Sequence, residues 1–304
     1  MNFKIFTDAG AGLTTEILNR FDIGVVALSF INDGEIYDSK LVGSEEYYKE
    51  FYKMLRNKEN LTTAAANEYS FIEAFEPYLE KGVDVLYIGF SSGLSATYSC
   101  AEKAIEKLQE KYKDRKIKSV DSLNASLGQG LYVYNACVLA TQGKEMEEVV
   151  EELEKTKQSY NSLFTVKTLS YLARGGRVSK LSFAIGTVVD IKPLMYVSEK
   201  GKLQAYSKVI GRKRSIFALA DKVCKTIIGS EKQTIFISHG DCIEDAKLLS
   251  KLISDKIAVG GFVFNYIDPV IGVHSGPDTL AVFYNGTNRE QTVSSNEAVS
   301  SIAK

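Results

Sequence analysis

The sequence predicts an α/β fold in two parts: an N-terminal Rossmann-like domain with a mostly parallel sheet, then an α+β domain with antiparallel strands. Three observations predict it. A unit of apolar strand, polar turn and helix occurs three times in the first half, with strands at residues 2–7, 83–90 and 116–120. Strands alternating with helices imply right-handed crossovers and therefore parallel pairing. The run Val85-Leu86-Tyr87-Ile88 with Phe90 is apolar without alternation, the pattern of a strand covered on both faces. In the second half, runs at 188–197 and 202–209 flank Ser198-Glu199-Lys200-Gly201, the arrangement of an antiparallel pair.

Taken in order, the first strand ends in Thr7-Asp8-Ala9-Gly10, and Thr14-Thr15-Glu16 leads into a helix. The β-rich run 23–31 meets Asn32-Asp33-Gly34, whose Asp-Gly pair predicts a hairpin returning through Glu35-Ile36-Tyr37, a ribbon near residues 25–40. Ser44 stands as N-cap of a helix that reaches about Arg56. Adjacent Thr62 and Thr63 precede another helix, which Pro77 bends or ends because proline lacks the N–H of the helical ladder. The helix after Phe90 extends to about Lys111, and the one after Asp121-Ser122-Leu123-Asn124-Ala125-Ser126 to about Thr141. A charged helix at 145–157 with Met146, Val149, Val150 and Leu153 on one face closes the first domain, residues 1–158.

The second domain, 159–288, begins with a strand at 162–166 and the turn Arg174-Gly175-Gly176-Arg177. Gly211-Arg212-Lys213-Arg214 leads into a helix after the antiparallel pair. A strand at 233–238 runs into Ser238-His239-Gly240-Asp241, followed by a helix, a strand near 261–267 and a last strand at 279–284. Residues 289–304 carry no core pattern and read as a polar tail, frayed or helical.

Composition narrows the function. With 304 residues, 45% hydrophobic and 25% charged, the chain has the make-up of a soluble globular protein with sizeable cores. A net charge of -1 offers no basic surface for nucleic acid. Cys100, Cys137, Cys224 and Cys242 are scattered without Cys-x-x-Cys spacing, which suits free thiols in a reducing cytoplasm. No run approaches the roughly 20 apolar residues of a membrane span, and the first residues read as a strand, not a signal peptide.

Two histidines far apart and no acidic or cysteine cluster leave no metal site. No Gly-x-Gly-x-x-Gly follows a strand, and Gly128-Gln129-Gly130 falls inside a helix, so no nucleotide cofactor is expected. What stands out is Phe90-Ser91-Ser92-Gly93-Leu94-Ser95, a hydroxyl-rich turn between a buried strand and a helix, where free N–H groups and the helix dipole favour a carboxylate or phosphate. Ser91 or Ser92 acting only as the helix cap explains that turn equally well. Thr62, Thr63, Ser126, Arg174, Arg177, Arg212, Arg214 and His274 complete a donor set better suited to holding an anion than to nucleophilic reaction. His239 reads as structural. The alternative is a stand-alone acyl hydrolase or transferase built from a serine with His274 and Asp121, although no Gly-x-Ser-x-Gly elbow is present.

Several motifs occur together in one order: Thr7-Asp8, Thr62-Thr63, Ser91-Ser92-Gly93-Leu94-Ser95-Ala96-Thr97-Tyr98, Val120-Asp121-Ser122, Gly175-Gly176-Arg177-Val178, Lys192-Pro193-Leu194, Ser238-His239-Gly240-Asp241 and Gly272-Val273-His274-Ser275-Gly276-Pro277. In that set the chain resembles the DegV family of fatty-acid-binding proteins, from Phe3 to Tyr284. The resemblance implies a fatty acid with its carboxylate at the domain seam and its tail in an apolar tunnel, carried without a further cofactor. It also implies presentation to a separate ATP-dependent fatty-acid kinase, making the chain a carrier subunit more than an enzyme in its own right. By that resemblance Thr62, Thr63, Ser91, Ser92, Ser95 and His274 face the carboxylate, and Arg174, Arg177, Arg212 and Arg214 face the phosphate or the kinase. Asp8, Asp121, Ser122, Ser126 and Gly276 support them. Three departures from the family pattern bear on kinase coupling: Thr62-Thr63-Ala64-Ala65-Ala66, Ile210 in place of an arginine, and Gly276-Pro277-Asp278 in place of Gly-Pro-Gly.

Overall fold

Strand β1 (Phe3–Asp8) is buried along its whole length. The computed structural model, which describes residues 2–39, 43–57, 60–178 and 190–294, places it inside a four-stranded sheet. Helix α1 (Thr15–Phe21) starts on Thr14, whose side chain accepts from Ile17 N, and returns the chain to β2 (Gly24–Val26), parallel to β1. A separate antiparallel sheet follows, from β3 (Leu28–Asn32), β4 (Glu35–Ser39), helix α2 (Glu45–Arg56) and β5 (Leu61–Ala64), in the order β4-β3-β5. Ser44 caps α2 by accepting from Tyr47 N. Helix α3 (Glu68–Leu79) carries Pro77 in its last turn and leads to β6 (Asp84–Gly89), then α4 (Thr97–Lys111) and β7 (Ile117–Asp121). The parallel sheet is ordered β2-β1-β6-β7, so the turns after β1, β6 and β7 lie side by side at its carboxyl edge.

Helix α5 (Leu127–Thr141) and the amphipathic α6 (Met146–Thr156) precede a second large sheet. Its elements are β8 (Tyr160–Thr165), α7 (Ser170–Arg174), β9 (Ile191–Val197), β10 (Leu203–Ile210), α8 (Arg212–Thr226), β11 (Thr234–His239), α9 (Ile243–Ser254), β12 (Gly261–Tyr266), α10 (Pro269–Ser275) and β13 (Leu280–Asn285). The order is β10-β9-β8-β13-β11-β12, antiparallel throughout except for the parallel pair β11–β12. The expected strand at 188–197 is observed as β9; residues 188 and 189 lie outside the described residues. The α/β class with one parallel and one largely antiparallel sheet is therefore the observed one.

Between the two large sheets lies α5. Leu127, Leu131, Tyr132, Val133, Ala136 and Cys137 are all buried, as a helix apolar all round must be. Its glycines set the spacing. A Cβ on Gly128 would stand 2.6 Å from Ser162 Oγ and 2.8 Å from the Phe283 ring, and one on Gly130 would stand 2.6 Å from Ala11 O. Phe164, Phe236 and Phe283 of the second sheet thus join the core of Ile5, Val85, Leu86 and Ile88 of the first.

The structure corrects the sequence reading at four places. The run 23–31 is two strands: β2 stays beside β1, where Gly24 leaves room for the Phe6 ring, and β3 departs to pair with β4 and β5. Thr62 and Thr63 lie in a strand, β5, rather than in a loop. Residues 269–275, read as a connection, form α10, with Asp268 accepting from Val270 N and Pro269 in the first turn.

The tail is the fourth: it is helical at 289–294, one of the two expected forms, but it is tied into the core. Helix α11 (Arg289–Ser294) begins with a buried arginine that donates to three carbonyls: Leu123 O at 2.9 Å, Ser198 O at 3.1 Å and Lys157 O at 2.9 Å. Burial lowers its basicity to about 10, the cost of holding a charge in the core. Arg289 therefore ties three loops from both halves of the chain. Arg289→Ala removes a donor from all three carbonyls, of which Ser198 O keeps its bond from Gly201 N, and urea unfolding should show a loss of roughly 2–4 kcal/mol. A loss below about 0.5 kcal/mol would show that the tail is dispensable after all.

Candidate functional site

Strand alternation decides which threonine faces inward. In β5, Thr62 pairs with Ile31 and its side chain is exposed, whereas Thr63, one residue on, points to the other face. There Thr63 Oγ1 lies 2.8 Å from His274 Nε2 on α10. The imidazole packs on a glycine: a Cβ at Gly175 would stand 2.2 Å from His274 Nδ1, so the residue after α7 has no room for a side chain. Gly276, with φ at 80°, ends α10 against the Tyr171 ring, and Arg177 follows the glycine pair and donates to Gly175 O at 2.5 Å.

These elements enclose a cavity of about 240 Å³. Thr63, Ser95, Arg177 and His274 line it together with Phe90, Leu94 and Leu172. Phe164, Val197, Leu203, Ile271 and Phe283 extend the apolar wall, so residues from both halves of the chain meet around one space. Burial, reinforced by the nearby Arg177 and Arg174 charges, lowers His274 to about 4, which leaves the imidazole neutral at pH 7. Burial also lowers the Arg177 pKa. A neutral imidazole, two hydroxyls and a half-buried guanidinium make a cluster of donors with one positive charge.

The serine turn divides into two functions. Ser91 is fully buried, donates to Gly201 O at 2.8 Å, and its N–H donates to Asn124 O at 2.9 Å. Ser92 is exposed, and its N–H donates to the Asp121 carboxylate at 3.3 Å. Neither lines the cavity; both brace the turn against neighbouring loops. Gly93 allows that bracing, since a Cβ there would stand 2.6 Å from Lys200 O. Ser95 lines the cavity; its Oγ accepts from Thr97 N at 3.2 Å and lies 2.9 Å from Thr97 Oγ1, one residue before the Ala96 N-cap of α4.

Of the supporting residues, Asp8 accepts from Phe90 N at 2.9 Å and Tyr87 Oη at 2.6 Å, and Asp121 also accepts from Leu123 N at 2.9 Å. Ser122 donates to Gly89 O at 2.7 Å. Ser126 lines the cavity and donates to Ser238 at 3.0 Å. The remaining arginines are elsewhere: Arg174 is exposed over the Tyr171 ring, Arg212 is paired with Asp245 at 2.8 Å, and Arg214 is exposed. The hydrolase arrangement is not assembled, because the Asp121 carboxylate is bonded to the Ser92 and Leu123 amides and the hydroxyl beside His274 belongs to Thr63. His239 packs on Tyr266 at 4.4 Å between ring centroids, in keeping with a structural part.

Sequence reasoning missed Thr97, Leu172, Ile271 and Ser275 as cavity residues. Asp268-Pro269, an N-cap followed by proline at the first helical position, is the signal that would have revealed α10 and with it Ile271 and Ser275. No comparable local signal marks Thr97 or Leu172. Among the described residues there is no group of His, Cys, Asp and Glu that could hold a metal ion, and no helix is long and apolar enough to cross a membrane.

Comparison with known proteins agrees with the geometry. A DegV domain-containing protein from Clostridium perfringens is 42% identical over 289 residues, 95% of this chain and 99% of that one. A DegV lipid binding protein from Thermotoga maritima superposes with a TM-score of 0.83 at 26% identity, covering 95% of this chain and all of its own. A second Thermotoga maritima protein, whose structure is described as revealing a fatty acid binding function, superposes at 0.83 with 25% identity over 94% of this chain and 99% of its own. The family model described as uncharacterised protein, DegV family, matches residues 2–286, and the chain belongs to that family.

Proposed function

We propose that this chain binds a long-chain fatty acid, with the carboxylate held by Thr63, Ser95, Arg177 and His274 and the alkyl chain along the apolar walls of the same cavity. The observation that carries the reading is the joining of those four donors to Phe90, Leu94, Phe164 and Phe283 around one space. Burying an alkyl chain contributes about 0.8 kcal/mol per CH₂, so even partial burial of a long chain gives tight binding. The fatty acid binding described for a Thermotoga maritima relative supports it. In this reading the chain is a cytoplasmic carrier that presents the acid to a fatty-acid kinase for acyl-phosphate formation. Four free cysteines fit a reducing compartment, and the exposed Arg174 and Arg214 offer charge to a partner outside the cavity.

Head-group binding should follow strand alternation. Thr63→Ala or Ser95→Ala should weaken fatty-acid binding by roughly 1–3 kcal/mol, the cost of a hydrogen bond to a charged group left unmade. Thr62→Ala on the opposite face should change it by less than about 0.5 kcal/mol. Displacement of a fluorescent fatty acid measures all three, and a larger loss at Thr62 than at Thr63 would invert the assignment.

Retention and phosphorylation should separate. Arg177→Ala removes the charge inside the cavity and should lower both affinity and acyl-phosphate yield with a fatty-acid kinase and ATP. Arg214→Ala should leave affinity unchanged and lower the yield alone. Equal yield from Arg214→Ala and the native chain would remove Arg214 from the kinase-facing set.

His274 supplies a direct reading of the anion. In the empty cavity its pKa lies near 4, depressed by burial first and then by the arginines. A carboxylate beside it favours the charged imidazolium, so binding must raise that pKa, and by linkage the complex takes up protons between the two values. With two histidines in the chain, imidazole signals resolve readily by NMR. A His274 midpoint unmoved by saturating fatty acid would mean that the carboxylate is held elsewhere.

A further inference from the structure

Beyond the head-group residues, the cavity is walled by Ser126, Ser162, Ser238, Ser275 and Thr279. A hydrocarbon tail can bond to none of them, so each hydroxyl must find its partner in the protein or remain unmet at a cost. Two are fully served: Ser162 donates to Asn124 Oδ1 at 2.6 Å, and Thr279 donates to Ser275 O and Gly276 O at 2.9 Å. Of the other three, Ser126 is likewise served as a donor, whereas Ser238 and Ser275 are not. Ser126 donates to Ser238 at 3.0 Å, and in such a pair one hydrogen makes the link while the other hydroxyl's hydrogen is left over. Ser275 is 6% exposed and its Oγ is buried without a hydrogen-bond partner.

The three serines belong to one region of the wall. Ser238 pairs with Ala281 in the β11–β13 ladder, Thr279 leads into that strand, and Thr279 bonds to the Ser275 carbonyl. Spare hydrogen-bonding capacity here sits in the same space as Phe164, Ala281 and Phe283, which an alkyl chain would fill.

We infer that the cavity is built for a fatty acid whose chain carries an oxygen substituent, a hydroxy or oxo group, and that Ser275 with the Ser126–Ser238 pair forms the subsite for it. The inference rests on the fatty-acid reading above. A hydroxyl on the chain accepts from one serine and donates to another, while an oxo group accepts alone, so hydroxy acids gain more. In a cavity walled largely by apolar side chains, that gain decides between chains of equal length.

The test compares stearic acid with a positional series of monohydroxystearic acids on the delipidated full chain, by displacement titration. One positional isomer should bind about tenfold tighter than stearic acid. Ser275→Ala and Ser238→Ala should each reduce that preference to less than about threefold while leaving stearic acid affinity unchanged, with melting temperature confirming the fold. Should Ser275→Ala fail to fold, Ser238→Ala carries the comparison. If stearic acid binds and no hydroxylated isomer binds better, the hydroxyls serve water or the protein alone; the subsite is then refuted while the fatty-acid reading stands. A preference that survives both substitutions also overturns the subsite. Failure of every acid to bind removes both readings.

Discussion

The site depends on a carboxylate with no access to water. Asp8 ends β1 and is fully buried. Its oxygens accept from Gly10 N, Phe90 N, the Tyr87 hydroxyl and the Gln129 amide, at 2.6–3.1 Å. Burial raises its pKa and the four donors oppose that rise. The result is mechanical as much as electrostatic: one group fixes the turn after β1, the start of the serine turn and the first turn of α5. Together with the Gln129 bonds to Thr7 and Ile88 O and the Ser91 bonds to Asn124 O and Gly201 O, it sets where Phe90 and Ser95 stand relative to α5. Such a group tolerates little change, because removing a buried acceptor leaves the Gly10 and Phe90 amides and the Tyr87 hydroxyl, which it serves, without their partner.

Much of this architecture was legible in the sequence, for identifiable reasons. The strand, turn and helix units announced themselves through uninterrupted apolar runs such as Val85 to Ile88 and through caps such as Ser44. The contents of the site were legible as residue types and illegible as directions. Thr62 and Thr63 are adjacent and chemically identical, and only membership of β5 puts one in the cavity and the other in solvent. Ser91 and Ser95 read alike as hydroxyls of one turn, yet one is consumed in bracing Gly201 and the other lines the cavity. Which face a residue takes is set by strand pairing far along the chain, information that local pattern does not hold.

The departure at Asp278 has a local physical account. Its φ is 61°, a conformation in which glycine is at ease and which aspartate tolerates better than most residues. In that position its carboxylate meets Lys167 at 2.8 Å and Arg56 at 3.3 Å, and Arg56 also pairs with Asp241. Exposed pairs of this kind contribute little individually. Together they span α2, the loop after β8 and the segments around β11 and β13, so the substitution exchanges backbone ease for a surface tie near α10. The change lies outside the cavity wall and leaves the donor set intact.

That donor set resolves an electrostatic problem. An anion buried among phenylalanines needs compensation, yet a cavity full of charges would be costly to keep empty. Here the compensation is largely latent. The imidazole is neutral while the cavity is empty, the hydroxyls carry no charge, and the single guanidinium is half-buried, enough to lower its pKa and not enough to strand it. Under the proposed reading, a carboxylate in this cavity would meet one formed charge and one that forms in response to it, since an anion beside His274 opposes the burial and the arginine charges that lower its pKa. The glycines contribute: Gly175 brings backbone against the ring, adding to the burial that lowers its pKa, and Gly276 ends α10 against the Tyr171 ring. Under that reading, the head-group end is inexpensive to maintain empty and gains charge compensation when filled.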